Sequence, residues 1–244
     1  MGFEMSGIFR IGLPFATAAF ALTALARPLD ESWKLSAEID GVKVYSKPSA
    51  EAGVTDFRST MIVPTDLATT AATLIEGSNF ANWIEGCIES KEIERKVSLD
   101  PTTPLSDQYN LIYGVNKAPW PLSKRDFAVR AVMNIEREKP GAAPHITFRA
   151  DSVDGKVPVS PDLVRVKKML VNIGLSPVEG DAKSTQVDFG LAVDPNVDAP
   201  KSIQDGIARE NPPKSLLRLK KFLEAPKFDP NLAESIRQRL GRLK

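Results

Sequence analysis

Between Arg125 and Glu136 the chain reads RDFAVRAVMNIE, in which Phe127, Val129, Ala131, Met133 and Ile135 alternate with Asp126, Arg130, Asn134 and Glu136. A period of two puts each set on its own face of a strand, so this stretch predicts a half-buried antiparallel strand. HITFRAD continues the pattern with Ile146, Phe148 and Ala150, and STQVDFGLAV brings Val187, Phe189, Leu191 and Val193 to one face. LVRVKKMLVNIGLSPV predicts a further strand, joined to the last by the turn EGDAKS. In QYNLIYGV a regular strand places Tyr109, Leu111, Tyr113 and Val115 together.

Upstream, DGVKVYSK opens on an Asp40-Gly41 turn before a strand, and VTDFRSTMIV reads as another. Pro64 and Thr65 introduce a helix over TDLATTAATLIEG, with Leu67, Ala71, Leu74 and Ile75 on one face and Gly77 to end it. NFANWIEGCIESKEIERKV reads as a short turn carrying Trp83, then a strand. Helical pattern dominates only after Pro200. KSIQDGIARE is interrupted at Pro212-Pro213, and KSLLRLKKFLE resumes with Leu216, Leu219 and Leu223 at helical spacing. DPNLAESIRQRLGRLK follows, with Asp229 as cap and Pro230 in the first turn. The class is α+β: a long antiparallel sheet whose apolar face needs a cover, with the C-terminal helix as that cover.

A hydrophobic content of 42% over 244 residues suffices for one substantial core. With 32 basic against 31 acidic residues, no overall field favours nucleic acid. Cys87 is the lone cysteine, so no internal disulfide forms, and it reads as a small core or strand residue. His145 is the single histidine. Histidine-rich metal sites and Cys/His nucleophile pairs therefore have almost nothing to work with, and there is no GxSxG, Walker loop or GxGxxG. No catalytic residue, metal or cofactor is assigned. At the N-terminus, Arg10 precedes an apolar run from Ile11 to Ala26 that ends in Ala24-Leu25-Ala26. That pattern predicts a signal peptide over 1–26, cleaved after Ala26, with an uncleaved anchor as the rival. The expected location is periplasmic or secreted.

Directly before the alternating strand stands PWPLSKRDF. Pro119 and Pro121 fix two backbone dihedrals and restrict their predecessors, so Trp120 is presented with little freedom to lose. Arg125 and Asp126 are expected to clamp the base of the loop through charge-assisted hydrogen bonds. Proline-aromatic-proline, a small-residue turn, then Arg-Asp-aromatic resembles the signature of the START lipid-transfer family, as an exported bacterial-type member. Other pieces agree in order: Trp33 with Asp40-Gly41-Val42, Trp83 after the first helix, Asp194-Pro195, and Ala199-Pro200 opening the final helix. The resemblance runs from about Trp33 to about Leu223. It departs from the family at Asn196-Val197-Asp198, where glycines are usual, and among Ile173 to Leu175, where a tryptophan is common. The places of a charged pair carried by some steroid-binding members fall on Ile112 and Ala131.

The resemblance implies a helix-grip fold, a curved antiparallel β-sheet wrapped around a long C-terminal helix with a hydrophobic tunnel. Residues 27–226 would form the START-like lipid-binding domain, and 227–244 a basic helical extension. Without it, the apolar stripe reads as ordinary core. With it, part of that stripe lines the tunnel: Leu111, Tyr113, Phe127, Val129, Ala131 and Met133 from the middle strands. Phe148, Met169, Val171, Phe189 and Leu191 follow from later ones, with Trp83 and, on the last helix, Ile203 and Ile207. Tyr109, Asn110 and Tyr113 are candidate polar selectors. Pro119, Trp120, Pro121, Leu122 and Arg125 form the implied gate loop.

The implied function is non-catalytic binding or transfer of a lipid or sterol-like molecule. The alternative is a cyclase- or hydratase-like enzyme acting on an apolar substrate in the same cavity. Pro212-Pro213 is a candidate hinge for opening. Nine basic against three acidic residues from Lys214 onward mark a candidate contact with an anionic membrane surface. A solvated face is the plainer reading of that charge.

Overall fold

The computed structural model describes residues 31–48, 55–118, 122–194 and 201–243, without the side chains of Asp194, residues 201–205 and Ala208. The apolar leader 1–26, Pro119-Trp120-Pro121, Pro195 to Pro200 and the Ile203 side chain lie outside the described residues. Within them the alternating segments form β1 (Lys34–Ile39), β2 (Val42–Pro48), β3 (Thr55–Val63), β4 (Cys87–Lys96) and β5 (Tyr109–Asn116). The series continues with β6 (Arg125–Glu136), β7 (His145–Ser152), β8 (Val164–Arg165), β9 (Lys168–Val178) and β10 (Asp181–Asp194). The helices are α1 (Leu67–Ile75), α2 (Phe80–Trp83), α3 (Lys201–Phe222) and α4 (Pro230–Arg242).

The main strands make one antiparallel sheet in the order β1-β2-β3-β10-β9-β7-β6-β5-β4, with short β8 parallel to the start of β6. The ends of the chain thus meet in its middle, where β3 pairs with β10. β1 is a strand that the sequence pattern did not reveal, because all of its residues are exposed and no face alternates. At the β1–β2 turn Asp40 and Gly41 both take positive φ, 50° and 82°, as a two-residue hairpin with right-handed strand twist requires. The segment expected to be a single strand over LVRVKKMLVNIGLSPV divides after Arg165 into β8 and β9. At the far edge, β4 carries CIESKEIERK, whose charges discourage further strand pairing.

Register sorts the side chains. Across the concave face Met133 stands opposite Phe148, Phe148 opposite Ile173, and Ile173 opposite Phe189. A second row runs from Ile135 through Ile146 and Leu175 to Val187 and Met61. Onto these rows pack α1, buried at every position from Leu67 to Ile75, and the second half of α3 through Leu216 and Leu219, with Leu223 just past its end. This is the helix-grip arrangement.

The interior under β5 and β6 is filled tightly. Gly114 lies opposite Phe127, and a Cβ at Gly114 would come within 2.4 Å of the Phe127 ring and 3.0 Å of the Glu89 carbonyl oxygen. Trp83 is fully buried, edge-on to Phe80 at 5.7 Å and to Phe189 at 5.8 Å between ring centroids.

α4 does not sit on the sheet. Its Leu232, Ala233 and Ile236 are buried and it packs against α1, where Arg237 donates to the Thr69 hydroxyl at 3.1 Å and to Asp66, the N-cap of α1, at 3.4 Å. Arg239 donates to the carbonyls of Asp100 and Thr103 at 2.6 and 2.7 Å, and the Asn79 amide holds the Lys227 carbonyl at 2.8 Å.

α3 is continuous from Lys201 to Phe222, so Pro212 and Pro213 do not break it as the sequence pattern predicted. Both prolines are buried, and packing against the sheet compensates the backbone hydrogen bonds they cannot donate.

Two outcomes test this packing. Replacing Gly114 with alanine is expected to destabilise the fold by about 1–3 kcal/mol through overpacking against Phe127; an unchanged denaturant midpoint would contradict it. Cys87 is buried, and desolvation, partly offset by the Glu89 backbone hydrogen bond, pushes its thiol up to about 11. At pH 8 the native protein should therefore react negligibly with a disulfide reagent such as DTNB, and at full stoichiometry once unfolded.

Candidate ligand-binding site

The solid packing stops short of one end of the sheet. There the paired strands β9 and β10 and the first half of α3 enclose a cavity of about 560 Å³. Its apolar wall is Met169 and Val171 from β9 and Phe189, Leu191 and Val193 from β10, with Val166 beside them. The roof comes from α3: Gly206, Ile207, Glu210, Asn211, Lys214 and Ser215 recur at helical spacing on one face. Gly206 leaves part of that roof empty, since a Cβ built on it meets nothing within 4 Å. The mouth is rimmed by Ile84-Glu85-Gly86 after α2, by Asn116-Lys117-Ala118 after β5, and by Leu122 and Arg125 from the loop leading into β6.

The two halves of α3 are held differently. Arg218 reaches the end of α2, donating to the carbonyls of Ala81, Asn82 and Ile84 at 2.9, 3.3 and 3.0 Å and approaching Glu85 at 3.4 Å. Ser215 accepts from the Glu85 amide at 2.9 Å and donates to the Asn211 carbonyl at 2.8 Å. Beyond Asn211 toward the N-terminus the roof covers the cavity, and the proline pair lies at the border.

Arg125 and Asp126 do not clamp the loop as a pair. Consecutive residues of a strand point to opposite faces, so Arg125 faces the cavity while Asp126 points to the convex side. There the fully buried Asp126 carboxylate receives a bidentate pair from Arg165 of β8, at 2.9 and 2.8 Å. The backbone reinforces the join, with Val164 N–H donating to Lys124 O at 3.0 Å and Val166 N–H to Asp126 O at 2.9 Å. Arg125 itself donates to the carbonyl of Ser123, in its own loop.

The charges at the mouth are mostly matched. Lys117 approaches Glu85 at 4.0 Å, and Lys214 pairs with Glu210 at 2.9 Å. Among the described residues no carboxylate lies within ion-pair distance of Arg125, which is 7% exposed. Directly across from it on β5 stands Asn116, whose side-chain oxygen is buried without a hydrogen-bond partner.

Of the residues the sequence nominated, the structure gathers Met169, Val171, Phe189, Leu191, Ile207, Leu122 and Arg125 around the cavity. Trp83 stands behind the wall, against Phe189. Phe127, Val129, Met133 and Phe148 lie in the filled part of the same concave face, with Ala131 packed partly buried against it. Leu111 and Tyr113 are turned to the convex face, paired opposite Arg130 and Ala128, while Ile112 points inward opposite Val129. The reason is that both faces of β5 are buried, so its alternation marks no solvent side. Of the polar selectors, Asn110 is occupied by the Ile75 carbonyl at 2.9 Å and by Glu92, while Tyr109 bonds Glu94. Burial and the nearby Asp126 carboxylate raise the Tyr113 phenol above its ordinary range, on the far side from the cavity.

The sequence reading missed Asn116, Val193, Gly206 and the Glu210–Lys214 face. The helical spacing of the latter from Ile207 was the available signal. In the basic tail, Arg218, Arg237 and Arg239 serve the internal contacts described above, whereas Lys220, Lys221 and Lys227 are exposed. Among the described residues no helix is long and apolar enough to cross a membrane.

No protein-family model matches the chain. It is 28% identical over 227 residues to an uncharacterized protein of Pseudomonas aeruginosa, covering 90% of this chain and 99% of that one. It is also 23% identical over 209 residues to the ceramide transfer protein of Mus musculus, covering 80% of this chain but 32% of that protein. Among solved structures it matches a STAR-related lipid transfer protein fragment from Xanthomonas axonopodis with a TM-score of 0.64 and 23% identity, covering 80% of this chain and 99% of that one. Human StAR-related lipid transfer protein 5 matches with a TM-score of 0.57 and 20% identity, over 85% of this chain and 88% of that one. The likeness is one of fold, and it agrees with the resemblance carried by the PWPLSKRDF loop.

The clamp is open to test. Asp126→Asn keeps shape but removes the charge that holds Arg165, and should cost about 2–3 kcal/mol of unfolding free energy; denaturant unfolding at neutral pH would show it, and a change below about 0.5 kcal/mol would count against it.

Proposed function

We propose, from the premise that the chain has the START lipid-transfer fold, that it is a non-catalytic carrier holding one lipid-like molecule under the first half of α3. The observation that carries this reading is the cavity of about 560 Å³, walled by Met169, Val171, Phe189 and Leu191 beside a packed hydrophobic core. That volume lies in the range of pockets that enclose most of a small apolar molecule. Burying such a guest is favourable by about 25 cal/mol for each Å² of apolar surface withdrawn from water. The two carboxylates on the lining, Glu85 and Glu210, sit beside Lys117 and Lys214, which suits a binding site better than proton transfer.

Exchange of the guest requires an opening. In this proposal the gate is the 119–125 loop with the first half of α3, which swings about Pro212-Pro213 while Arg218 and Ser215 keep the second half docked. The missing N–H groups of the two prolines lower the cost of parting the halves. In the same proposal the apolar leader supports a site of action outside the cytoplasm, and exposed Lys220, Lys221 and Lys227 support a transient hold on anionic membrane surfaces.

Organic extraction and mass spectrometry of the purified mature protein should recover about one lipid-like molecule per chain. Leu191→Trp, which fills the wall, should abolish that recovery with the thermal transition preserved. Extracts without lipid, together with no uptake of fluorescent lipid by the delipidated protein, would overturn the reading.

A further inference from the structure

Among the described residues Arg125 meets no carboxylate, so a guest that was purely apolar would leave it unexplained. Holding a guanidinium cation against an apolar wall is costly unless a counter-charge compensates it. The Ser123 carbonyl supplies a partial charge only, and the other two cations on the lining already have carboxylates beside them. Asn116 presents the second unmet group, a buried carboxamide oxygen on the same face of the adjacent strand pair. Facing residues in such a pair hold their Cβ atoms about 4.5–5.5 Å apart, so both side chains reach a single small head group.

We propose, building on the carrier reading above, that Arg125 and Asn116 form a head-group subsite for an amphiphile bearing an oxyanion, a phosphate monoester or a carboxylate. The guanidinium fork takes two oxygens of the anion, a geometry that an ammonium cannot reproduce. The Asn116 oxygen accepts from a hydroxyl beside the anion, or the amide turns over and donates to the anion itself. The acyl chain then runs from this rim along Met169, Val171, Phe189 and Leu191. The subsite is at the mouth, beside Leu122 and Lys117, so the head is the last part of the guest to enter and the first to meet a membrane surface.

The experiment is a calorimetric titration of the delipidated full-length mature protein with four probes below their micellar concentrations. They are oleoyl lysophosphatidic acid, oleate, monoolein and inorganic phosphate. The two anionic amphiphiles should bind at least about tenfold more tightly than monoolein, and inorganic phosphate at least about a hundredfold more weakly than either. Arg125→Gln should weaken the two anionic amphiphiles at least about tenfold more than monoolein, removing the preference, and Arg125→Lys should restore only part of it. If Arg125→Gln does not fold, Asn116→Asp provides the test: a carboxylate facing Arg125 should neutralise it and erase the preference for anions. Equal binding of monoolein and the anions, or equal weakening of all amphiphiles in the variants, would overturn the subsite and leave the carrier intact. Phosphate binding as tightly as the lipids would mean a free-anion site and would also overturn it. Failure of every amphiphile to bind would remove the carrier reading with it.

Discussion

The seating of Leu216, Leu219 and Leu223 in the concave sheet is the contact on which the rest of this structure depends. It fixes one half of a 22-residue helix firmly enough that the other half can span a space without filling it. Protein interiors normally close up to crystalline density, and a void of this size persists only where surrounding elements are held apart by packing elsewhere. Here α1 on β9 and β10, Trp83 against Phe189 and the Phe127 ring over Gly114 do that, while Arg218 and Ser215 tie the helix to α2. A tight core and a hollow therefore share one sheet, and the first holds the second open.

The loop before β6 takes part through two faces of one strand. Asp126 looks outward to Arg165 and secures the start of β6 to β8, and its neighbour Arg125 is thereby aimed at the cavity. The Arg-Asp-Phe sequence is thus a device that anchors on the convex side in order to present a side chain on the concave one. Phe127, next in line, belongs to the filled core. Three consecutive residues serve three environments, which explains why substitution at any of them would be felt at the mouth.

Much of the architecture was legible because one face of most strands is polar. β6, β7 and β10 alternate cleanly, and the Asp40-Gly41 turn and the Asp229 cap have local chemistry that marks them. What escaped the sequence reading escaped for physical reasons. β5 is buried on both faces, so nothing in its pattern told Ile112 from Leu111. β1 is exposed on both, so it carried no periodicity at all. The proline pair argued for a break in α3, but burial of both rings outweighed the local preference. Asn116 reads as a polar residue at a strand end, and only the register opposite Arg125 gives it a place at the cavity. Above all, hydrophobic alternation reports which side chains leave water, and cannot report whether they then touch one another. The division between Phe148, in solid core, and Leu191, at the wall of a void, is a property of three-dimensional fit.

Gly206 bears on the size of the cavity. It stands on the roof with vacant room beyond its hydrogen, on a helix whose own backbone would be better served by almost any other residue. A larger residue there would subtract its volume from the cavity without disturbing the sheet. The volume of this cavity can therefore be retuned by one codon in α3, leaving the strands that wall it untouched.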